Sequence, residues 1–279
     1  MKYATLKLMN FALITICMIV LVSCQSTKES KKVLPVTKQK STTKAGGKVV
    51  TKSEIKTSSS DFSKGLVAEW KLAGNAKDSA GANDGKAENL VFKKEGEFSF
   101  GVFNGKDSVI KVTPKTPLIK GKKFTVSAWI KRTGKLEKPY TALIIGRSGY
   151  YNGWRLMVSD DQKEKDVTKN RATIQIGAKK GGKSATSYRI SLKDEKWNHI
   201  VGIWDGVWLK IYVNSQLGYG THYAGKYLPA KGWLGIGYNA NGIGHFNGCI
   251  GDVRIWNRTL KRSEIKALYN EGINRLTKK

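Results

Sequence analysis

Few residues in this chain have the types and spacing that catalysis needs. Its three histidines, His199, His222 and His245, show no metal-ligand spacing. No serine, histidine and acid announce themselves as a nucleophilic triad, although a triad scattered along a sequence leaves no local mark. Glycoside hydrolysis requires two carboxylates close together, one as nucleophile or base and one as acid. The densest acids are Asp160, Asp161, Glu164 and Asp166, and they lie in a polar stretch that reads as a loop rather than an alternating strand. Aromatic residues offer a different chemistry. Tyr150, Tyr151 and Trp154 share the segment Ser148-Gly149-Tyr150-Tyr151-Asn152-Gly153-Trp154, and Tyr219, His222, Tyr223 and Tyr227 form a second cluster. Exposed rings stack on sugar faces while Asn or Arg side chains hold hydroxyls, and the same rings can equally fold back into a core.

Strands must position these groups. Short alternating or apolar runs recur with turn signals between them: Leu66 to Trp70, Phe124 to Ile130, Ala172 to Ile176, His199 to Trp204 and Leu209 to Val213. The last two alternate as strands buried on one face do, and Asp205-Gly206 between them favours a tight hairpin. About a dozen such runs over roughly 210 residues suit a two-sheet sandwich. Only the end reads as helix. Ser263 is placed to cap it, Ile265, Leu268 and Tyr269 recur at helical spacing, and Gly272 offers a stop. The expectation is a short helix packed on the sandwich edge. With no internal repeat and no second hydrophobic block, residues 65–275 read as one domain.

The N-terminus reads as an address. Lys2 and Lys7 precede an apolar run from Phe11 to Val22, long enough for a signal peptide and short for a spanning helix. Leu21-Val22-Ser23-Cys24 resembles the bacterial lipobox, which implies cleavage after residue 23, diacylation of the Cys24 thiol and acylation of its amino group. Several acyl chains anchor stably where one is marginal. Gln25, rather than an aspartate, leans towards the outer membrane where a cell has one. Residues 24–64 are Lys-, Ser- and Thr-rich with no aromatic before Phe62, a composition expected to form a disordered tether between lipid and domain.

Composition narrows the class further. The chain has 279 residues, 40% of them hydrophobic, with 30 glycines and 5 prolines, which suits a packed core with many tight turns. Of three cysteines, only Cys249 lies in the body, so no disulfide staples the domain, and its apolar surroundings mark it as a small buried hydrophobe. The net charge of +29 favours contact with polyanions, and spread lysines also simply keep a surface protein soluble. Export argues against a physiological nucleic-acid partner, while salt-sensitive DNA binding in vitro is expected.

The body of the chain resembles the bacterial LamG-like jelly-roll domain of the concanavalin A-like lectin/glucanase superfamily. The resemblance runs through Gly65-Leu66-Val67-Ala68-Glu69-Trp70, the turn Asp78 to Gly85, Phe103-Asn104-Gly105 to Val112, Phe124 to Ile130, Trp197 to Val201 and Asp205-Gly206 to Asn214. It ends on Phe246-Asn247-Gly248 through Asp252-Val253-Arg254-Ile255-Trp256-Asn257-Arg258-Thr259-Leu260. It implies an all-β fold: a two-sheet antiparallel jelly-roll sandwich with a short C-terminal helix. It also implies a calcium ion held by Asp78 and Asp252, with Asn83 or carbonyls nearby, although Gly251 stands where the family often has a second acid. Glucanases of this fold carry Glu-x-Asp-x-x-Glu, and here Lys169 stands where the second glutamate after Glu164 and Asp166 should be. The expected function is therefore a non-catalytic, membrane-anchored envelope module binding a glycan or other extracellular polymer, acidic ones included, through Tyr150, Tyr151, Trp154, Tyr219, His222 and Tyr223. The alternatives are a structural or adhesive protein–protein domain and, behind it, a glucanase-type hydrolase.

Overall fold

Alternation and turn chemistry translate directly into strands. The computed structural model describes residues 61–115, 118–119, 121–133, 136, 141–148, 152–160, 170–178, 181–238 and 244–278. Cys24, the segment expected to be a signal peptide and nearly all of the expected 24–64 tether lie outside the described residues. In chain order the strands are β1 (Leu66–Trp70), β2 (Gly85–Glu88), β3 (Val91–Glu95), β4 (Phe98–Asn104), β5 (Val109–Val112), β6 (Phe124–Arg132), β7 (Thr141–Ser148) and β8 (Gly153–Asp160). They continue as β9 (Asn170–Ile176), β10 (Lys183–Thr186), β11 (Asn198–Trp204), β12 (Trp208–Val213), β13 (Gln216–His222), β14 (Leu234–Ile236) and β15 (Asn247–Trp256), and the helix α1 (Arg262–Thr277) follows. The five runs singled out from the sequence fall in β1, β6, β9, β11 and β12.

The strands form two antiparallel sheets, as a jelly-roll sandwich requires. The first has the order β13-β12-β11-β6-β15-β4-β3, with β1 also paired to β15, and the second β10-β9-β8-β7-β14-β5-β2. Strand β15 is shared. Its residues Asn247–Ile250 pair with β4, and Val253–Trp256 pair with β1, with a register shift between Gly251 and Arg254. The facing rows of the two sheets make the main core, in which Trp70, Phe124, Trp204, Phe246 and Ile236 are fully buried. Each such side chain contributes about 1.5–3 kcal/mol by leaving water. In β12, Leu209, Ile211 and Val213 point into this core while Trp208 stays 42% exposed, the period of two at work. Asp205-Gly206 closes the β11–β12 hairpin as expected: Asp205 Oδ1 accepts the N–H groups of Val207 (2.9 Å) and Trp208 (2.6 Å), and Gly206 takes φ 94°.

The helix departs from expectation in three ways. It starts before Ser263, with Lys261 as its N-cap residue, whose N–H donates to Glu264 Oε2 at 2.7 Å. It continues through Gly272 to Thr277, because this glycine serves close approach and not termination. A Cβ at Gly272 would stand 2.4 Å from the Trp129 ring. Finally, α1 covers the outer face of the first sheet rather than its edge. Ile265 and Leu268 pack with Val201, Ile203 and Trp256, while Tyr269 and Ile273 pack against Phe98, Trp129 and Cys249. Strand β11 is consequently buried along both faces, not one.

His199 shows what this lid does to a polar group. It pairs with Trp129 across β11 and β6, and its ring stacks on Trp129 at 5.0 Å and on Tyr269 at 6.5 Å. Burial, with Arg254's charge in support, pushes its pKa down to about 3. The folded chain thus holds His199 neutral, while the unfolded chain takes up a proton below the usual value of 6.5. Stability should fall as pH drops below that value, by at most about 1.4 kcal/mol per pH unit for this one group. Denaturant titrations between pH 7 and 5 will show a flatter profile for His199→Leu than for the parent chain.

Candidate functional site

The acids suggested as metal ligands are committed elsewhere. Asp78 lies in the turn after β1, bridged to Trp70. Its Oδ1 accepts the N–H groups of Glu69 (2.8 Å), Ala80 (3.0 Å) and Gly81 (3.0 Å), and Oδ2 accepts Asn83 N and Nδ2, both at 3.1 Å. A carboxylate surrounded by N–H donors is the cap of its own turn. Asp252 sits at the β15 register shift with φ 47°, and its oxygens accept both terminal nitrogens of Arg275, at 2.7 and 3.1 Å. Arg254 Nη2 approaches it at 3.5 Å. Guanidinium groups stand where a cation would have to be. Gly251 has a steric reason as well, since a Cβ there would lie 2.7 Å from the Ser99 carbonyl oxygen and 2.8 Å from the Phe98 ring. A second acid at that position would clash. The pair Asp78 and Asp252 therefore does not fit calcium, which wants several free oxygens. Among the described residues no three His, Cys, Asp or Glu side chains converge as a metal site.

The acid cluster gives no catalytic pair among the described residues. Asp160 accepts Arg132 Nη1 and the Leu136 N–H, both at 2.8 Å, which makes it a structural partner of a buried arginine. Asp161, Glu164, Asp166 and Lys169 lie outside the described residues.

The aromatic residues divide. Tyr150 and Tyr151 lie outside the described residues. Trp154 is only 3% exposed and packs its ring 5.8 Å from that of Phe124, so it is core and not a stacking platform on the surface. Its place just after a Gly- and Asn-containing loop suggests exposure, yet as the second residue of β8 it points inward. Tyr223 is half-buried, stacks on Trp204 at 6.4 Å and donates its hydroxyl to the Lys226 carbonyl at 2.8 Å. Burial raises its pKa.

Tyr219 and His222 are exposed, and the fold gives each an aromatic partner that sequence reading missed. Tyr219 meets Tyr188 edge-to-face at 5.3 Å, and Tyr188 is 61% exposed. His222 meets Trp208 edge-to-face at 5.3 Å, its direct cross-strand partner. Because Tyr219 pairs with inward-facing Ile211 and His222 with outward-facing Trp208, the two ring pairs flank β13 on opposite sides. Strand β13 ends its sheet and closes on the other sheet's edge. Thr221 Oγ1 donates to the Ser184 carbonyl at 2.7 Å, and Gly218 leaves room for Ser187, whose Cβ would lie 2.8 Å from an added Cβ. Period-two alternation in β12 would have marked Trp208 as outward; nothing local marks Tyr188. The result is a sandwich edge carrying four rings, with Leu217 47% exposed beside them.

Two antiparallel sheets closed by a lid helix define a jelly-roll sandwich. The chain belongs to the concanavalin A-like lectin/glucanase superfamily: a laminin-G-type family model of that description matches residues 103–266, more than half of it. Among solved structures it is similar to domain 4 of AbnA, a GH43 extracellular arabinanase from Geobacillus stearothermophilus, in complex with arabinotriose. The two share 17% identity at a TM-score of 0.57, over 73% of this chain and 98% of that one. It is also similar to the binding domain of Paraclostridial Mosquitocidal Protein 1 (15% identity, TM-score 0.60, 76% of this chain and 53% of that one). The binding domain of botulinum neurotoxin DC in complex with SialylT is a further neighbour (13% identity, TM-score 0.54, 75% and 51%). The chain spans about half the length of these two toxin domains. No curated protein matches. At these identities the neighbours establish the fold alone.

Melting curves with added Ca²⁺ and with chelator should superimpose, because binding at Asp78 or Asp252 would have to displace the N–H and guanidinium donors described above. A calcium-dependent rise that Asp252→Asn abolishes would overturn this reading.

Proposed function

We propose that the chain is a non-catalytic binding module of the cell envelope, anchored through lipid on Cys24 and holding a glycan or other extracellular polymer at the β13 edge. The observation that carries the reading is the ring set Tyr219, Trp208 and His222 of the β12–β13 hairpin, joined by Tyr188 from the turn after β10. Rings of this kind offer apolar faces to sugars, and the hairpin that bears them is pinned by hydrogen bonds and by close packing at Gly218. Two of these neighbours fit the same reading, one structure being a complex with arabinotriose and the other a complex with SialylT. The absence of a paired-acid site among the described residues favours binding over hydrolysis. A tether rich in Lys, Ser and Thr would let such a module reach away from its membrane.

A protein partner is the second reading, favoured by Leu217 on a terminal strand. A glycan array probed with the full chain, neutral and acidic polymers included, separates the two. A hit is expected, and Trp208→Ala or Tyr219→Ala should each weaken it about tenfold, the usual cost of losing an anchoring ring. No hit, together with one envelope protein enriched on the chain, would give the edge to that partner instead.

Anchoring has its own test. Cys24→Ser should move the chain from the membrane fraction to the soluble fraction and remove labelling by a fatty-acid analogue. An unchanged distribution would rule the anchor out.

A further inference from the structure

A second candidate site lies at the end of the sandwich, in a cleft of about 40 Å3 lined by Arg147, Trp154, Tyr227, Leu118, Ile119 and Pro229. Arg147 and Trp154 are direct partners across β7 and β8, so their side chains share the inner face of the second sheet. Inward-facing positions elsewhere in this sheet are apolar: Leu156, Val158, Ile174 and Ile176 are all fully buried. An arginine in that row is out of place as packing. Its Nε is buried and makes no hydrogen bond. Beside it stands Tyr227, whose ring packs against Trp204 at 6.0 Å. Burial pushes the Tyr227 phenol up to about 12, with Arg147's charge pulling partly against it, so the hydroxyl remains a neutral donor near the guanidinium. A buried guanidinium nitrogen and a phenol lining one apolar cleft are a set of donors awaiting an acceptor.

We infer that this cleft binds the carboxylate of an acidic sugar, with the guanidinium of Arg147 and the hydroxyl of Tyr227 as its donors. Arginine's planar fork matches a carboxylate through two parallel hydrogen bonds, and a third donor completes the recognition. Size selects the group. The cleft offers about 40 Å3 to the centres of water-sized groups, enough for the two oxygens of a carboxylate, and the attached sugar ring would sit at the mouth against the apolar lining. The carboxylate rests on the cleft alone; that a sugar carries it rests on the glycan-binding reading above.

Calorimetry on the full chain tests this with glucuronate, glucose and N-acetylalanine as probes. Glucuronate should bind and glucose should not. Arg147→Gln should weaken glucuronate binding by about tenfold or more, as expected for losing a charge-assisted pair. Tyr227→Phe should weaken it less, and Arg147→Lys should keep part of it, with melting curves confirming that each variant folds. Lys266→Ala, at an exposed position on α1, should leave it unchanged. No heat with glucuronate, or heat indifferent to Arg147→Gln, overturns the proposal even if neutral glycans still bind at the β13 edge. N-acetylalanine binding as tightly as glucuronate overturns the sugar assignment and makes the cleft a site for a peptide carboxylate. Glucuronate binding that needs Arg147, in a chain whose glycan binding ignores Trp208 and Tyr219, would sustain the cleft and remove the edge.

Discussion

One buried cation, Arg254, decides where the rest of the molecule can go. It lies on β15 just after that strand exchanges β4 for β1 as its partner. Its Nε donates to Glu69 Oε1 of β1 at 2.7 Å, and its Nη2 reaches Glu271 of α1 at 3.2 Å. Arg275, one turn further along the helix, takes hold of Asp252 at the register shift. Burial works against the charge on Arg254, and Asp252, Glu271 and Glu69 more than offset it, so its pKa stands above the usual value. Glu69 shows the converse: burial would raise its pKa, but the Ser79 hydroxyl and Arg254 outweigh that and lower it. Such a network adds little net stability over an apolar packing of the same shape. What it supplies is position. It fixes one register of β1 on β15 and one placement of the helix across the sheet, because any other leaves charges buried and unpaired.

That placement has a functional consequence. With α1 laid over Trp129, His199 and Val201, much of the outer face of the first sheet is closed to ligands. The lid also explains why Cys249 is inert: it packs with Phe98, Phe100 and Trp129, and burial raises its thiol pKa. On the proposed reading, binding falls to the periphery of the sandwich, to the β13 edge and the end cleft. The net charge of +29 acts there at longer range, raising the local concentration of any acidic polymer before contact is made. Individual surface ion pairs such as Lys86 with Glu88, 3.3 Å apart with the lysine largely exposed, add little to the fold itself.

The strands were legible because their signal is local: alternation at period two, bounded by turn residues whose backbone needs are chemical. Asp205-Gly206 is an example. What escaped was every feature set by a distant neighbour. Gly272 looks like a helix stop in one dimension and is a contact point for Trp129 in three. Gly251 looks like a lost ligand and is a site where a side chain would strike Ser99 and Phe98. β11 alternates like a half-exposed strand, yet a helix about sixty residues downstream buries its second face. Trp154 and Trp208 are the clearest contrast, since both follow turns. Only the register of their strands sends one into the core and the other into solvent.

The edge and the cleft, although separate in chemistry, depend on one side chain. Trp204 ends β11 fully buried, 6.3 Å from Phe124. The segment that leaves β13 after His222 folds straight back onto it: Tyr223 stacks on the indole, and Trp204 Nε1 donates to the Tyr223 carbonyl at 3.3 Å. Four residues later Tyr227 packs on the same indole and lines the cleft. A short stretch of chain thus carries a ring of the exposed edge at one end and a donor of the cleft at the other, with Trp204 pinning both. An indole is suited to this, since it offers a large apolar face to two phenols and a single polar handle to fix the backbone between them. The geometry of any ligand bound at either place is therefore set by the core, through a residue that no ligand touches.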